Sequence, residues 1–212
     1  MFLRGGHAVN QFKLAEGVSV SNMDGIHECY EILDKESFFS FAINISIEKL
    51  EKLLREFCTQ LTEPCFFILE IPTNEKNEQE LRKNETDPFH ADVYYLDGVT
   101  TEDLNFIIDT YGDLLINDGM VRFGFASHIS NDEIFVGKYK VTYIFTQNRA
   151  LYQSMLHKFD IPFEKSIKTV QSNFTYEQPG QCRCIKRDGK DIYTLADELK
   201  EKGLYFAQRI EE

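Results

Sequence analysis

The sequence predicts an α+β fold in a single domain, a mixed or antiparallel sheet with three to four helices packed on it. Three observations carry this prediction. Aromatic and β-branched runs of strand length recur along the chain, and a few segments with a helical apolar period stand between them. The two kinds of segment do not alternate regularly, which argues against βαβ units. The 212 residues are 42% hydrophobic and include 18 Phe and 10 Tyr, enough apolar material for one substantial core.

Residues 1–25 carry Gly5, Gly6, Gly17 and Gly25 and read as an irregular N-terminal segment with a short strand near Val9 to Leu14; residues 26–212 read as the single domain. Ser37 to Ile45 is aromatic and β-branched, a strand. Ser46 is placed to cap a helix running to about Leu61, in which Leu50, Leu53, Leu54 and Phe57 follow the helical period. Its outer face offers Glu48–Lys52 and Glu51–Arg55 at i,i+4, a charge-balanced surface. Cys65 to Ile71 is a buried strand, residues 72–90 a long polar loop, and Val93 to Leu96 a short strand. Thr100 or Thr101 caps a second helix to about Ile116, with Glu102 and Asp103 in the first turn, where the dipole favours anions.

Met120 to Ala126 and Lys138 to Thr146 follow as strands. In the second, Tyr139, Val141, Tyr143 and Phe145 alternate with mostly polar residues and are expected to form its buried face. A helix covers about Asn148 to Phe159. A strand near Gln181 to Ile185 turns at Asp188-Gly189, and a last helix starts at Thr194, with Asp197 placed as a capping acid, and stops at Gly203.

Net charge is −12, which disfavours nucleic acid and anionic membrane surfaces, since both require clustered Lys and Arg. No apolar run approaches the roughly 20 residues of a membrane span. The start, Met1 to His7, lacks the apolar core of a signal peptide. The five cysteines, Cys29, Cys58, Cys65, Cys182 and Cys184, are odd in number and irregular in spacing. Together these features imply reduced thiols and a cytoplasmic location.

The charge is segregated. Residues 84–121 contain nine acids and no Lys or Arg, whereas the rest of the chain carries 26 acids and 23 bases. On the helix inside this stretch, Leu104, Ile107, Ile108, Tyr111 and Leu115 form one apolar face, and Glu102, Phe106, Asp109 and Asp113 fall in a stripe opposite. Asp109 and Asp113 are like charges at i,i+4, and Asp113 sits at the helix end that disfavours anions. An aromatic among carboxylates suits a basic partner. Asp97 and Asp118 flank the stripe and complete the expected partner-binding set. A solvated face, with Phe106 tucked under a loop, is the plainer account of the same residues.

Catalytic signals are weaker. His128, Asp132 and Glu133 lie close in sequence and suggest a small hydrolase or metal-dependent enzyme, with the His as general base. Their spacing fits no metal signature, and a hairpin connection between Ala126 and Ile134 would be polar in any case. Cys182-x-Cys184 lacks a second Cys pair, so structural thiols are expected there. Arg183, Lys186, Arg187 and Lys190 form a small basic hairpin suited to face the acidic side of its own fold or a dimer mate. No phosphate loop or nucleophile elbow is present, and no cofactor or metal is expected.

Several stretches resemble uncharacterised Gram-positive bacterial proteins. These are Tyr111-Gly-Asp-Leu-Leu-Ile-Asn-Asp-Gly119, Phe123-Gly-Phe-Ala-Ser-His128, Asn131-Asp-Glu-Ile134, Lys138-Tyr-Lys-Val-Thr-Tyr143 and Asn173 to Ile185 with Gly189-Lys-Asp-Ile-Tyr193. The resemblance spans roughly residues 90–205. It implies a small acidic protein of the polymorphic-toxin immunity type, without a catalytic pattern. The expected function is non-enzymatic capture of a basic toxin domain, a nuclease domain being one such partner. A regulatory interaction domain, with a homodimer formed through the aromatic strands, is the further alternative.

Overall fold

The aromatic and β-branched runs fold as strands of one large sheet. The computed structural model describes residues 12–212, so the part of the expected Val9–Leu14 strand before Phe12 lies outside the described residues, and no strand covers Phe12 to Leu14. Eight strands make the sheet: β2 (Cys29–Lys35), β3 (Phe38–Asn44), β4 (Cys65–Pro72), β5 (His90–Val99), β6 (Arg122–Ser127), β7 (Asp132–Val136), β8 (Thr142–Thr146) and β10 (Tyr205–Glu211). Their order is β10-β5-β4-β6-β7-β8-β3-β2, and every neighbouring pair is antiparallel. A separate two-stranded ribbon pairs β1 (Val18–Ser19) with β9 (Gln181–Cys182).

Five α-helices are present among the described residues: α1 (Ile47–Cys58), α2 (Glu75–Leu81), α3 (Thr101–Asn117), α4 (Arg149–Lys158) and α5 (Ile192–Lys200). The fold is therefore α+β with an antiparallel sheet, as the patterning predicts. The additional helix, α2, lies inside the expected 72–90 loop. It buries no residue, and Asn74 caps it by accepting from the Asn77 N–H at 3.0 Å. A helix without an apolar face leaves no periodic trace in the sequence.

The main core joins α1, α3, α4 and α5 to one face of the sheet. Leu50, Leu54, Phe57, Leu104, Ile108, Tyr152, Leu195 and Leu199 pack with Phe67, Leu69, Phe123, Phe125, Ile134 and Ile144. The opposite face carries a separate, smaller cluster, Phe66, Ile68, Val93 and Ala126, with Tyr95, Phe135 and Ile210 at its margin. Alternation along β4 separates the two sets, Phe67 and Leu69 to the helices and Phe66 and Ile68 away from them. Among the described residues, no helix is packed on this second face in the way that α1 and α3 cover the first.

Several boundaries differ from expectation for local reasons. In β8 the faces are reversed: Thr142, Ile144 and Thr146 are buried on the helix side, and Tyr143 and Phe145 are half-buried on the other. A 3₁₀ turn at Lys138–Lys140, with Tyr139 and Lys140 at φ of 56° and 62°, replaces the first part of the expected strand. Thr146 tolerates burial because its hydroxyl donates to Asp132 at 2.5 Å. Ser46 precedes α1, yet its hydroxyl accepts from the Lys13 N–H at 2.8 Å and not from its own helix. The cap of α5 is Asp191, which accepts from the Thr194 N–H at 3.1 Å, while Asp197 pairs with Lys200 at 2.9 Å. β2, β7 and β10 were not legible as strands.

The turn at Lys138–Lys140 places a lysine in the core. Lys140 is 5% exposed, and its Nζ donates to the carbonyls of Leu115 (3.0 Å) and Val121 (2.9 Å). Burial drives its pKa down from 10.5 to about 7, against the opposing pull of Asp118. Between these two values the unfolded chain holds a proton that the folded chain has released, so this group makes stability rise with pH across that window. Lys140→Met is expected to flatten that rise. Denaturant midpoints of both proteins at about pH 7 and about pH 9 provide the check, and parallel pH profiles would contradict it.

Candidate partner-binding surface

The acidic helix forms as its caps dictate. Thr100 accepts from the Asp103 N–H at 3.1 Å, and Asp103 accepts in return from the Thr100 N–H at 2.8 Å, a reciprocal capping box. These bonds, with the Thr100 hydroxyl foremost, hold the Asp103 carboxyl below its ordinary pKa. The predicted inner face, Leu104, Ile107, Ile108, Tyr111 and Leu115, is buried as a set.

The outer stripe is exposed, but folding neutralises much of it. Asp109 pairs with Arg55 of α1 at 2.7 Å, and the same Arg55 pairs with Glu51 at 2.9 Å. Asp113 pairs with Arg187 of the basic hairpin, and Arg187 also reaches Glu16 at 2.7 Å. Bases remote in sequence thus supply the counter-charges that residues 84–121 lack. Exposed pairs of this kind contribute roughly 0 to 1 kcal/mol each. They leave the two aspartates screened by the chain's own arginines.

Asp118 is a correction to the expected set. It is fully buried. Its carboxylate accepts from the backbone N–H groups of Met120 (2.8 Å), Val121 (3.1 Å) and Ile185 (2.7 Å), so it cannot touch a partner. An aspartate after a helix end can serve the backbone or the solvent, and sequence does not separate the two.

The remaining members converge. Asp97 at the end of β5, Glu102, Asp103 and Phe106 of α3, and Lys202 beyond α5 line a groove of about 490 Å³. Phe106 is 45% exposed, and the turn after α5 covers only part of its ring. The Lys202 ammonium stands over its ring, 4.8 Å from the centroid. Lys202 belongs to no ion pair among the described residues.

From this groove an aromatic line continues onto the open face of the sheet. Asp97 accepts from the Tyr205 hydroxyl, Tyr205 stacks on Tyr95 (6.4 Å between centroids), and Tyr95 contacts Phe66 (6.0 Å). The His128 ring stacks on Phe66 at 4.4 Å. Phe66, Tyr95, His128, Glu133 and Phe145 border a second hollow of about 370 Å³. Glu133 has no ion pair or side-chain hydrogen bond among the described residues. Burial, and secondarily the nearby Glu70, raise its pKa from the ordinary value. Glu70 itself is ion-paired to Arg122 at 2.8 Å.

The three residues of the expected hydrolase, His128, Asp132 and Glu133, all border this second hollow, but no hydrogen bond links the ring to a carboxylate. Asp132 and Glu133 are consecutive strand residues and point to opposite faces. Asp132 is buried on the helix side with Thr146, and His128 hydrogen-bonds to neither carboxylate.

Sequence reasoning missed Tyr205, Tyr95, Phe66 and Lys202. The alternation of Phe66, Ile68 and Glu70 with Phe67, Leu69 and Ile71 was available, but a strand that is apolar on both sides does not announce which face stays open. All five cysteines are free, with Cys29, Cys58 and Cys65 buried. No helix among the described residues is long and apolar enough to cross a membrane. Compared with protein-family models, curated proteins and solved structures, the chain gives no significant match.

Proposed function

We propose that this chain is a non-enzymatic binding protein of the immunity type, which captures a basic protein domain. The observation that carries this reading is the continuous strip of carboxylates and aromatics from Glu102 and Phe106, through Asp97 and Tyr205, to Tyr95 and Glu133. Lysine and arginine side chains bind best where a carboxylate and an aromatic face are offered together. The internal placement of Lys202 over Phe106 is an instance of that contact within the chain itself. The strip is larger than the helix stripe expected from sequence and has a different centre, because Asp109 and Asp113 are engaged by Arg55 and Arg187.

The test is titration calorimetry against a basic domain encoded next to this chain. Phe106→Ala should weaken binding by at least about tenfold, as loss of a buried aromatic anchor does. Glu102→Lys should mainly slow association and reduce its salt dependence. Both side chains are exposed, so the fold, read by circular dichroism, should be retained. A folded Phe106→Ala protein with unchanged affinity would remove the groove from the interface. Failure of every neighbouring basic domain to bind would remove the immunity reading altogether.

A further inference from the structure

At the opposite edge of the sheet, three side chains of different donor chemistry meet where β2 begins. They are His27, Cys29 and Glu164, and one donor atom from each lies within 4.8 Å of the other two. His27 Nδ1 is 3.1 Å from the Gly25 carbonyl, which can only accept, so Nδ1 carries the proton of that bond. In the neutral ring the lone pair is then on Nε2. Nε2 points at the Glu164 carboxylate, 2.7 Å away. A lone pair facing a carboxylate is repulsive unless a cation stands between them, either a proton on the ring or a metal ion.

The third donor selects between kinds of cation. Cys29 Sγ is buried behind the other two, and Asn44 Nδ2 points at it from 3.8 Å while also donating to the Lys168 carbonyl at 2.9 Å. An outer hydrogen bond to each of two donors, Gly25 to His27 and Asn44 to Cys29, is how proteins orient metal ligands. A sulfur, an imidazole nitrogen and a carboxylate oxygen suit zinc and exclude the all-oxygen preference of calcium and magnesium.

We propose that His27, Cys29 and Glu164 form a binding site for a divalent ion of the zinc type, with the fourth position taken by water. Zinc bonds of roughly 2.0 to 2.3 Å at tetrahedral angles set donors about 3.4 to 3.6 Å apart. The Nε2–carboxylate pair must therefore open by under about 1 Å and the sulfur close by about 1 Å, within the reach of side-chain rotation. Binding converts the Cys29 thiol to thiolate and releases its proton to solvent. The ion would fasten the segment after α4 to β2, where the Tyr30 N–H already donates to the Pro162 carbonyl (3.0 Å) and the Glu164 N–H to the Tyr30 carbonyl (2.8 Å). His27 and Glu164 are 137 residues apart, so no spacing motif reveals the site.

The experiment is Co²⁺ titration of the reduced full-length chain, followed by Zn²⁺ competition. One equivalent should give a thiolate-to-cobalt charge-transfer band that zinc abolishes, and zinc should raise the melting temperature. Cys29→Ser should remove the band. His27→Ala and Glu164→Gln, at the exposed and half-buried donors, should each weaken binding at least tenfold, and they keep the test valid if the buried Cys29→Ser protein folds poorly. A Cys182→Ser/Cys184→Ser double variant should bind as the parent does. Absence of the band, its survival in His27→Ala and Glu164→Gln at parental affinity, or its loss in the double variant would overturn the proposal.

Discussion

Asp118→Ala is expected to destabilise the protein by about 3 to 5 kcal/mol, the cost of removing one partner of a buried charged network. Three backbone N–H groups, of Met120, Val121 and Ile185, would lose their acceptor inside the core. Buried donors left unsatisfied cost about 1 to 3 kcal/mol each before relaxation. Lys140 would lose the counter-charge that opposes its desolvation, although its bonds to the Leu115 and Val121 carbonyls remain. Asp118 therefore does three jobs at once. It ends α3, turns the chain into β6, and ties residue 185 of the segment before α5 to both. For a domain of this size the loss corresponds to a fall in melting temperature of roughly 10 °C. Asp118→Asn should be intermediate, since one oxygen survives while the amide turns a donor toward another donor. Glu102→Gln, an outward acid on the same helix, should stay within about 0.5 kcal/mol of the parent. Equal stability of Asp118→Ala and Glu102→Gln in urea titration would refute the assignment.

The contrast between those two acids marks the limit of what the chain discloses. The α+β class, α1, α3 and α4 were legible because each of these helices buries an apolar face with a 3.6 period, and the cap Thr100 stands where expected. β3, β4 and β6 were legible from aromatic and β-branched runs. β2, β7 and β10 were not, since Glu31, Asp34, Glu133, Gln208 and Arg209 make them read as polar. Their polarity has a physical cause. β2 and β10 are edge strands, where charge discourages further pairing, and β7 places Glu133 on the face that no helix among the described residues covers. The candidate site was half legible for a related reason. A helix wheel shows which residues share a face, and it identified Glu102, Phe106, Asp109 and Asp113 as one stripe. It cannot show that Arg55 and Arg187 fold against two of them, or that Tyr205 brings the sheet into the same surface. Charge segregated along a sequence need not be segregated in space.

Gly119→Ala is the second large effect, expected to cost about 3 kcal/mol or more, and it acts by close approach and not by backbone angle. A Cβ on Gly119 would stand 2.0 Å from the Gly17 carbonyl oxygen and 2.6 Å from its carbon. Both obstacles are backbone, so no rotamer change relieves the overlap. The two glycines meet where three strands of chain are laced together. The Gly17 N–H donates to the Asn117 carbonyl (2.8 Å), the Gly119 N–H to the Arg183 carbonyl (3.0 Å), and the Arg183 N–H to the Gly17 carbonyl (2.9 Å). Separating Gly17 from Gly119 breaks this lacing, at roughly 0.5 to 1.5 kcal/mol per bond, on top of the roughly 1 to 3 kcal/mol of overpacking. Gly98→Ala supplies the control. Gly98 has φ of +71° and nothing within 4 Å of an added Cβ, so its substitution costs only the left-handed strain, about 1 to 2 kcal/mol. Urea titration of the two variants should rank them in that order, and hydrogen exchange should locate the difference. In Gly119→Ala the amides of Gly17 and Arg183 should lose protection first, because the β1–β9 ribbon hangs on this contact. Gly98→Ala should leave them protected. The reverse ranking would mean that the segment holding Gly17 shifts freely, and that the ribbon contributes nothing to holding the N-terminal part of the chain against α3.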